Sequence, residues 1–503
     1  MKKYAVLMTA LLAGCSTAIK EPVTTPTMTS NNLYGTTSSS LADGNAAIQE
    51  RLKHKPNTRR AKNVILFVGD GMGISTLTAG RIMEGQMAGG SGEENLLSFE
   101  RFPNTALVKT YNVDAQVPDS AGTATALNSG IKTRIGSINT GPNHNQELCK
   151  GMMDNAPVPF AHYAEKLGLS TGVVSTARLT HATPAAVYAH SPIRRWETDV
   201  NLTDEAKENG CVDIASQITS DMGGDGLEVA LGGGRANFLP AGEGAGVRLD
   251  GKNIPALWTE GRENAKYITT AAELASLDTD ATDHVFGLFN DDHMSFNAMR
   301  PDDEPSLAEM TEAAIKTLSK NKKGYYLMVE AGRIDHGHHG GNAFSALTET
   351  VALSAAVRKA LELVDTKDTL ILVTADHSHA FTMSGYPKRG NPILGLVVPS
   401  HPANSTEPQL AEDGKPYTTV GYQNGPGAIQ GERKTLTQKE VLEPTFLQQA
   451  AYPTKSETHG GEDVALFAIG PWSHLVKGTI EQNVVFHIMD HALQLRKRTA
   501  KKK

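Results

Sequence analysis

Three short segments of the chain are dense in side chains that bind metal ions. Residues 330–340 contain one aspartate and three histidines within five positions, residues 376–379 read Asp-His-Ser-His, and residues 459–463 read His-Gly-Gly-Glu-Asp. Zinc takes imidazole nitrogen and carboxylate oxygen, and an Asp-x-x-x-His spacing can bring both to one ion. One such cluster could be a hydrogen-bonded surface turn. Three of them together indicate metal centres, with zinc at nitrogen-rich positions and magnesium at oxygen-only positions.

A fourth segment, residues 118–126, offers a nucleophile. It reads Pro-Asp-Ser-Ala-Gly-Thr-Ala-Thr-Ala and leads into a run with helical spacing. A serine at a helix N-terminus is usually only a cap. In the functional interpretation a metal ion binds the Ser120 oxygen and lowers the pKa of its hydroxyl, so that an alkoxide exists near neutral pH. The helix N-terminus would also favour phosphate, but the segment alone does not decide between these interpretations.

The polar clusters follow short apolar runs that are typical of buried parallel strands. Three such runs lead into a carboxylate: residues 64–68 into Asp70, 325–329 into Glu330, and 369–374 into Asp376. Further strands are predicted at residues 172–175, 229–231 and 464–468, and helices at 306–319 and 343–363. This alternation predicts an α/β fold with a central, mostly parallel sheet flanked by helices. Ligands bind such sheets beyond the carboxyl ends of the strands, where the three carboxylates would meet.

The N-terminus predicts export. Two lysines precede an apolar stretch, residues 4–13, that is too short to span a bilayer. The stretch runs into Leu-Ala-Gly-Cys, which resembles the lipobox of bacterial lipoproteins and implies a signal peptide over residues 1–14 and a lipid anchor on Cys15. In that family, a serine after the cysteine favours the outer membrane. The alternative is an ordinary signal peptide with an incidental cysteine, and either one takes the protein out of the cytoplasm, to the periplasm or the outer membrane.

The rest of the chain divides into two predicted parts. Residues 15–58, rich in Thr, Ser, Pro and Asn, are expected to form a flexible tether, and residues 59–503 one large catalytic domain. Within that domain, residues 387–458 show few regular patterns and are predicted to be an insertion on the sheet. The net charge of −7 argues against non-specific nucleic-acid binding. If the lipobox cysteine carries lipid, Cys149 and Cys211 remain, and they are predicted to form one disulfide in an oxidising compartment.

Five segments resemble the signature segments of alkaline phosphatases. They occur in the family's order and are closer to the animal-type enzymes and their bacterial relatives than to the shortest bacterial forms. The segments are Gly69-Asp70-Gly71-Met72-Gly73, Asp119-Ser120-Ala121-Gly122-Thr123-Ala124, Arg333-Ile334-Asp335-His336-Gly337-His338-His339, Thr374-Ala375-Asp376-His377-Ser378-His379 and His459-Gly460-Gly461-Glu462-Asp463. The resemblance implies a hydrolase of small phosphate monoesters that forms a covalent phosphoserine. It also implies a homodimer, in which the insertion corresponds to the family's crown.

The resemblance further implies the metal ions, two Zn²⁺ and one Mg²⁺, and the residues that hold them. Ser120 is the implied nucleophile. The nine implied ligands fall into three groups: Asp335, His339 and His459 for the first zinc; Asp376, His377 and Ser120 for the second; and Thr183, Glu330 and Asp70 for the magnesium, with Asp70 also bridging to the second zinc.

Other residues gain expected roles from the resemblance. Arg194 aligns with the arginine that clamps phosphate by a bidentate contact; Arg195 is its rival, and the local spacing favours Arg194. His336 is expected near the bound phosphate, His181 near the magnesium, and His379 beside the first zinc. Histidine at the His181 and His336 positions resembles the animal-type pattern, and in some relatives zinc occupies the third site, so that site could also take Zn²⁺.

Two alternative functions share part of this pattern. The nearest enzymatic alternative is a phosphodiesterase or sulfatase of the same superfamily, but sulfatases need a Cys/Ser-x-Pro-x-Arg context, which the sequence around Ser120 does not have. An alternative of another class is a non-catalytic, metal-stabilised phosphate-binding lipoprotein. The full set of ligands together with Ser120 argues against it. The sequence therefore predicts an exported alkaline phosphatase.

Overall fold

A computed structural model of the chain describes residues 38–402 and 404–501. The chain divides into two units, residues 1–55 and 56–503. In the second unit, the described residues contain fifteen strands. They are β1 Asn63–Gly69, β2 Asn104–Lys109, β3 Ser170–Arg178, β4 Val229–Gly233, β5 Ala265–Ile268, β6 His284–Leu288, β7 Tyr325–Ala331, β8 Thr369–Ala375, β9 Ser378–His379, β10 Phe381–Met383, β11 Val420–Gly425, β12 Ala450–Pro453, β13 His459–Gly460, β14 Val464–Ile469 and β15 Gly478–Glu481.

The first unit contains one described helix, α1, Ser38–Lys53. Its side chains are exposed at every position where they are described. The sequence predicts a flexible tether here, so the helix differs from that prediction. Its Ala, Leu, Gln, Glu and Lys residues have high helix propensity. The flexibility of residues 15–58 stays a prediction. The predicted signal peptide, residues 1–14, and the predicted lipid anchor Cys15 lie outside the described residues.

Ten strands form the central sheet, in the order β15-β2-β14-β8-β1-β7-β3-β4-β6-β5. The seven strands from β8 to β5 are all parallel, and only β14 runs antiparallel to its two neighbours, β8 and β2. Strands β1, β7 and β8 are buried at every position. Their continuous apolar runs suit strands that are covered on both faces. The predicted mostly parallel α/β sheet is confirmed.

The carboxyl ends of the three central strands lie side by side. In the register of β1 and β7, Val68 pairs with Glu330, and in the register of β1 and β8, Gly69 pairs with Ala375. Asp70 and Asp376 each follow their strand directly. The topology therefore brings the three carboxylates to one edge of the sheet, as the sequence predicts.

The described residues of the second unit also contain fifteen α-helices, several of which pack against the sheet. They are α2 Ile74–Met87, α3 Ser120–Ser129, α4 Phe160–Leu167, α5 Ala182–Tyr188, α6 Asp204–Glu208, α7 Ile214–Gln217, α8 Arg235–Phe238, α9 Ile254–Thr259, α10 Ala271–Ala275, α11 Leu307–Ser319, α12 Arg333–His339, α13 Ala343–Leu363, α14 Gln438–Val441, α15 Val484–Leu493 and α16 Leu495–Lys501. Helix α11 begins after Ser306, which forms a capping box with Glu309. Helices α11 and α13 agree with the two helices predicted from periodicity.

The predicted insertion, residues 387–458, is more regular than its sequence indicates. It contributes β11 and β12, which join β10 in a three-stranded sheet, and it carries the short helix α14. The strands are short and only partly apolar, so the period-2 pattern that would reveal them is weak. The insertion ends directly before β13, whose first residue, His459, pairs with His379 of β9.

The predicted disulfide is present. Cys149 and Cys211 are bonded, with their Cα atoms 5.8 Å apart and 62 positions apart in the sequence. The bond lies in a small apolar cluster with Trp196 and Ala206. Among the described residues, every helix is either too short or too polar to cross a bilayer.

Candidate metal centre and nucleophile

The first group of predicted ligands lies on two different elements. Asp335 and His339 are one helical turn apart on α12, so both side chains point from the same face, and His459 comes from β13. His339 Nε2 and His459 Nε2 each lie 3.3 Å from Asp335 Oδ1, and 3.1 Å from each other. Donor atoms around a tetrahedral zinc ion with bonds of about 2.0–2.1 Å lie about 3.3 Å apart. The three atoms therefore fit one zinc ion.

The second group is fully buried. His377 Nε2 lies 3.4 Å from Asp70 Oδ1 and 3.4 Å from Asp376 Oδ2, with no side-chain exposure at any of the three residues. Ser120 Oγ lies 3.1 Å from the same nitrogen. These separations again match the edge of a zinc tetrahedron. The structure brings together two carboxylates, an imidazole and the predicted nucleophile around one point.

The third group of predicted ligands, Thr183, Glu330 and Asp70, contains buried polar atoms without a hydrogen-bond partner among the described residues. Both carboxylate oxygens of Asp70, Thr183 Oγ1, Glu330 Oε1 and His181 Nδ1 are buried without a hydrogen-bond partner among residues 38–402 and 404–501. Buried polar groups are rarely left unpaired because desolvation without a partner is costly. Oxygen donors from a hydroxyl and two carboxylates suit magnesium. The imidazole of His181 lies in the same group of possible ligands.

The charges of the centre also indicate cations. Burial, together with repulsion from neighbouring carboxylates, raises the pKa of Asp70 well above its usual value. Burial raises the pKa of Glu330 to about 7 and also raises that of Asp376. Several buried carboxylates that repel one another are stable as anions only when a positive charge lies among them. The donor set therefore fits bound metal ions.

Ser120 differs from its expected place in one respect. It is the first residue of α3, and the cap of that helix is Asp119, whose Oδ1 accepts a hydrogen bond from Gly122 N at 3.1 Å. The Ser120 hydroxyl is therefore not used for capping. It is 1% exposed and faces His377. The interpretation of Ser120 as an ordinary N-cap is wrong for this helix.

Arg194 lies beside the nucleophile. Its Nη1 donates to Asp119 Oδ2 at 3.1 Å, and its Nη2 lies 2.8 Å from His181 Nε2. Each terminal guanidinium nitrogen carries two hydrogens, so one N–H on each is still available for a ligand. The side chain is mostly buried, whereas the rival Arg195 is exposed. This geometry suits a bidentate clamp aimed at an anion near Ser120.

His336 lies next to His181 on the far side of the centre. The centroids of the two rings are 5.5 Å apart, and His336 Nδ1 lies 3.0 Å from Arg333 Nη1. A third imidazole, that of His293, packs on His336 with a centroid distance of 4.1 Å. Burial lowers the pKa of His336 to about 4. Burial thus favours the neutral form of His336, and its place near phosphate stays a prediction.

Two histidines of the predicted clusters have both ring nitrogens held by neighbouring side chains. His338 is buried between Thr76 Oγ1 and Tyr422 Oη, each 2.9 Å from one of its ring nitrogens. His379 lies between Asp335 Oδ1 at 2.8 Å and Glu457 Oε2 at 2.5 Å. His379 therefore lies beside the first group of predicted ligands, and its role next to a zinc ion stays a prediction.

Sequence reasoning missed three residues of the centre. The sequence marks Asp119 only as the neighbour of Ser120, whereas in the structure it both caps α3 and holds Arg194. His293 lies in a loop after β6, and Glu457 in the predicted irregular insertion. A single histidine or glutamate in a loop gives no periodic signal. The only indication for Glu457 was its position two residues before a predicted ligand.

Comparison with known proteins agrees with this geometry. The family model described as alkaline phosphatase matches residues 61–495. The tissue-nonspecific alkaline phosphatase isozyme of Rattus norvegicus is 42% identical over 466 residues, which covers 88% of this chain and 87% of the rat protein. The corresponding isozyme of Gallus gallus is 44% identical over 458 residues, covering 88% and 86%.

Solved structures show the same fold. Alkaline phosphatase from the Antarctic bacterium TAB5 has a TM-score of 0.60 at 24% identity, covering 87% of this chain and 99% of that one. Alkaline phosphatase of Thermus thermophilus has a TM-score of 0.62 at 23% identity, covering 89% and 97%. With the family match and the relatives above 40% identity, this shows that the chain belongs to the alkaline phosphatase family, whose members hydrolyse phosphate monoesters.

Proposed function

We propose that this protein hydrolyses small phosphate monoesters through a covalent phosphoserine on Ser120, at a site for two zinc ions and one magnesium ion. One observation carries the proposal: the Ser120 hydroxyl, free of any capping role, faces the buried group of His377, Asp70 and Asp376. A hydroxyl in that position is a nucleophile only when cations lie beside it, and the donor atoms are spaced to hold them.

The metal ions would supply the positive charge that lowers the pKa of the nucleophilic oxygens and stabilises the leaving oxygen. The protein's own groups perform the remaining tasks. Ser120 Oγ attacks phosphorus in line, the P–O bond to the alcohol breaks, and the phosphoryl group is transferred to Ser120. Water then attacks the phosphoserine from the opposite side and releases inorganic phosphate. Two inversions give net retention at phosphorus.

Arg194 would hold two non-bridging oxygens of the phosphoryl group with the N–H groups that Asp119 and His181 leave free. The first turn of α3 would add backbone N–H groups that favour an anion. A site built for cations and an arginine favours a dianionic phosphoryl group. We therefore expect monoesters to react faster than diesters, which carry only one negative charge.

We expect broad use of leaving groups. The group formed by Asp335, His339 and His459 is open to solvent on one side, with 31% of the His339 side chain and 15% of the His459 side chain exposed. The group around Ser120 is enclosed. The alcohol part of a substrate would therefore point toward solvent, where few side chains select its shape.

A comparison of three chromogenic substrates tests the proposed function: p-nitrophenyl phosphate, its bis-ester and its sulfate. We expect kcat/KM to be highest for the monoester. Faster turnover of the diester or the sulfate would replace this proposal with the phosphodiesterase or sulfatase alternative. Binding of phosphate without turnover of any of the three would favour the non-catalytic phosphate-binding lipoprotein.

We further propose that the protein is exported and anchored through a lipid on Cys15, in the periplasm or at the outer membrane, and that it forms a homodimer. The lipobox-like sequence supports the anchor, and the Cys149–Cys211 bond supports an oxidising compartment. Mass spectrometry of the mature N-terminus, and detergent partitioning of a Cys15→Ser variant, test the anchor. Light scattering on the purified protein tests the dimer.

A further inference from the structure

We propose that Glu457 is a positioning residue that holds His379 and His339 in place and thereby aligns the donors of the first zinc position. This inference deepens the proposed function and rests on it. Glu457 lies in the last residues of the insertion and belongs to none of the predicted ligand clusters.

The carboxylate of Glu457 orients the His379 ring by contacting the nitrogen that does not face Asp335. Glu457 Oε2 lies 2.5 Å from His379 Nδ1, and the other ring nitrogen, Nε2, lies 2.8 Å from Asp335 Oδ1. Both ring nitrogens therefore face carboxylates, and neither has a free lone pair directed at a metal position. His379 thus acts as a bridge between Glu457 and the proposed ligand Asp335. A ligand oxygen held in this way keeps one orientation.

The backbone of Glu457 holds a second imidazole. His339 Nδ1 lies 2.6 Å from the Glu457 carbonyl oxygen, which fixes the ring with Nε2 toward the first group. In return, Glu457 N donates to the carbonyl oxygen of His339 at 2.9 Å. An imidazole whose Nδ1–H donates to a carbonyl is set in the tautomer that offers Nε2 to a metal ion.

Glu457 is itself held rigidly. Its side chain has no exposure to solvent, and its second carboxylate oxygen, Oε1, accepts a hydrogen bond from Ala380 N at 2.6 Å. The next residue, Thr458, is fixed by two hydrogen bonds to Asn424 of β11, at 2.9 and 3.0 Å. Glu457 therefore connects the insertion to the proposed metal centre, and this connection needs a carboxylate because both of its oxygens accept hydrogen bonds.

The replacement Glu457→Gln isolates this role. Glutamine has the same shape but only one acceptor oxygen, so either Ala380 N or His379 Nδ1 then faces an amide NH₂ group. The backbone contacts to His339 persist. Residues that orient metal ligands typically contribute 10–100-fold to metal affinity. We therefore expect Glu457→Gln to lower the zinc affinity by roughly 10–100-fold at one of the two zinc positions.

The experiment is a zinc titration of the metal-free protein in competition with a chromophoric chelator, for the wild type, Glu457→Gln and Glu443→Gln. Glu443 is exposed in the same insertion and far from any proposed ligand in sequence, so it controls for the change from carboxylate to amide. We expect roughly 10–100-fold weaker zinc binding in one phase for Glu457→Gln only. The visible absorption of bound Co²⁺, a spectroscopic measure of coordination geometry, should change in the same variant. Excess zinc should restore part of its activity.

Wild-type zinc affinity and an unchanged Co²⁺ spectrum in Glu457→Gln would overturn the inference. So would a fall in the thermal stability of the metal-free variant that accounts for the weaker binding. If Glu457→Gln does not fold, Glu457→Asp is measured in the same way, and wild-type affinity there would also overturn it. If the wild type itself binds no zinc, the proposed function fails rather than this inference alone.

Discussion

Replacing Arg194 with alanine would remove the guanidinium that we propose as the phosphate clamp beside Ser120. In the structure two of its N–H groups are used by Asp119 and His181, and two more remain for a phosphoryl group. A hydrogen bond to a charged group contributes about 1.5–3 kcal/mol. Loss of both contacts would therefore cost roughly 3–6 kcal/mol in the transition state, which corresponds to a fall in kcat/KM of about 10²–10⁴-fold.

The variant Arg194→Lys refines this estimate. Lysine keeps the charge but has no planar fork, so it can replace only part of a bidentate contact. We expect about half of the loss in free energy, or roughly 10–10²-fold in kcat/KM. The neighbouring Arg195 provides the matched control because it is exposed. Arg195→Ala should leave kcat/KM within about threefold of the wild type.

The assay is steady-state hydrolysis of p-nitrophenyl phosphate with both metals in excess, so that loss of metal does not mimic loss of the clamp. Inhibition by inorganic phosphate should weaken in parallel, since product and transition state share the two contacts. An Arg194→Ala enzyme within about threefold of wild-type kcat/KM would refute the assignment. A larger fall in kcat/KM for Arg195→Ala than for Arg194→Ala would assign the phosphate contact to Arg195 instead.

Three other predictions concern stability and metals. Breaking the Cys149–Cys211 bond, whose partners are 62 positions apart, should lower the free energy of unfolding by about 4 kcal/mol; an equal denaturation midpoint for the double serine variant would contradict this. Burial raises the pKa of Glu165 to about 9 and that of Glu228 to about 8, so the folded state holds extra protons, and stability should fall as pH rises from about 4.5 to 9. Glu228→Gln should make this loss of stability with pH smaller, by about 1.4 kcal/mol for each unit by which folding raises the pKa of Glu228. The measurement is the difference in Tm between the variant and the wild type at pH 6 and at pH 9.5. The same Tm difference at both pH values would argue against this prediction. Removal of metal with EDTA should abolish hydrolysis and lower Tm, and zinc with magnesium, but neither alone, should restore both; full activity in the metal-free protein would rule out the metal mechanism.

The parts of the fold that were predictable are those with a strong local pattern. The runs before Asp70, Glu330 and Asp376 are mostly apolar and rich in β-branched or aromatic residues, as is typical of strands buried on both faces. Their carboxyl ends must meet once the strands are parallel neighbours, so the position of the centre follows from the pattern. The spacing of Asp335 and His339 likewise places both on one face of a helix.

The parts that were not predictable depend on contacts between segments far apart in sequence. Nothing near Glu457 indicates that its carboxylate meets His379, because that contact requires the insertion to return to the sheet. His338 lies in a ligand-rich segment, yet its ring turns away toward Tyr422, which is also in the insertion. The helix cap at Asp119 was not predictable for a different reason. Aspartate and serine are about equally good N-caps, so the sequence does not place the start of α3 to within one residue.

The central claim is that Ser120 carries the phosphoryl group during turnover. Its most direct test is to mix the metal-loaded enzyme with a phosphate monoester, quench in acid within the first turnovers, digest the protein and locate covalent phosphate by mass spectrometry. The account predicts phosphate on the peptide that contains Ser120, at that residue, and neither phosphopeptide nor turnover in Ser120→Ala. Covalent phosphate on another residue, or wild-type turnover by Ser120→Ala, would contradict it.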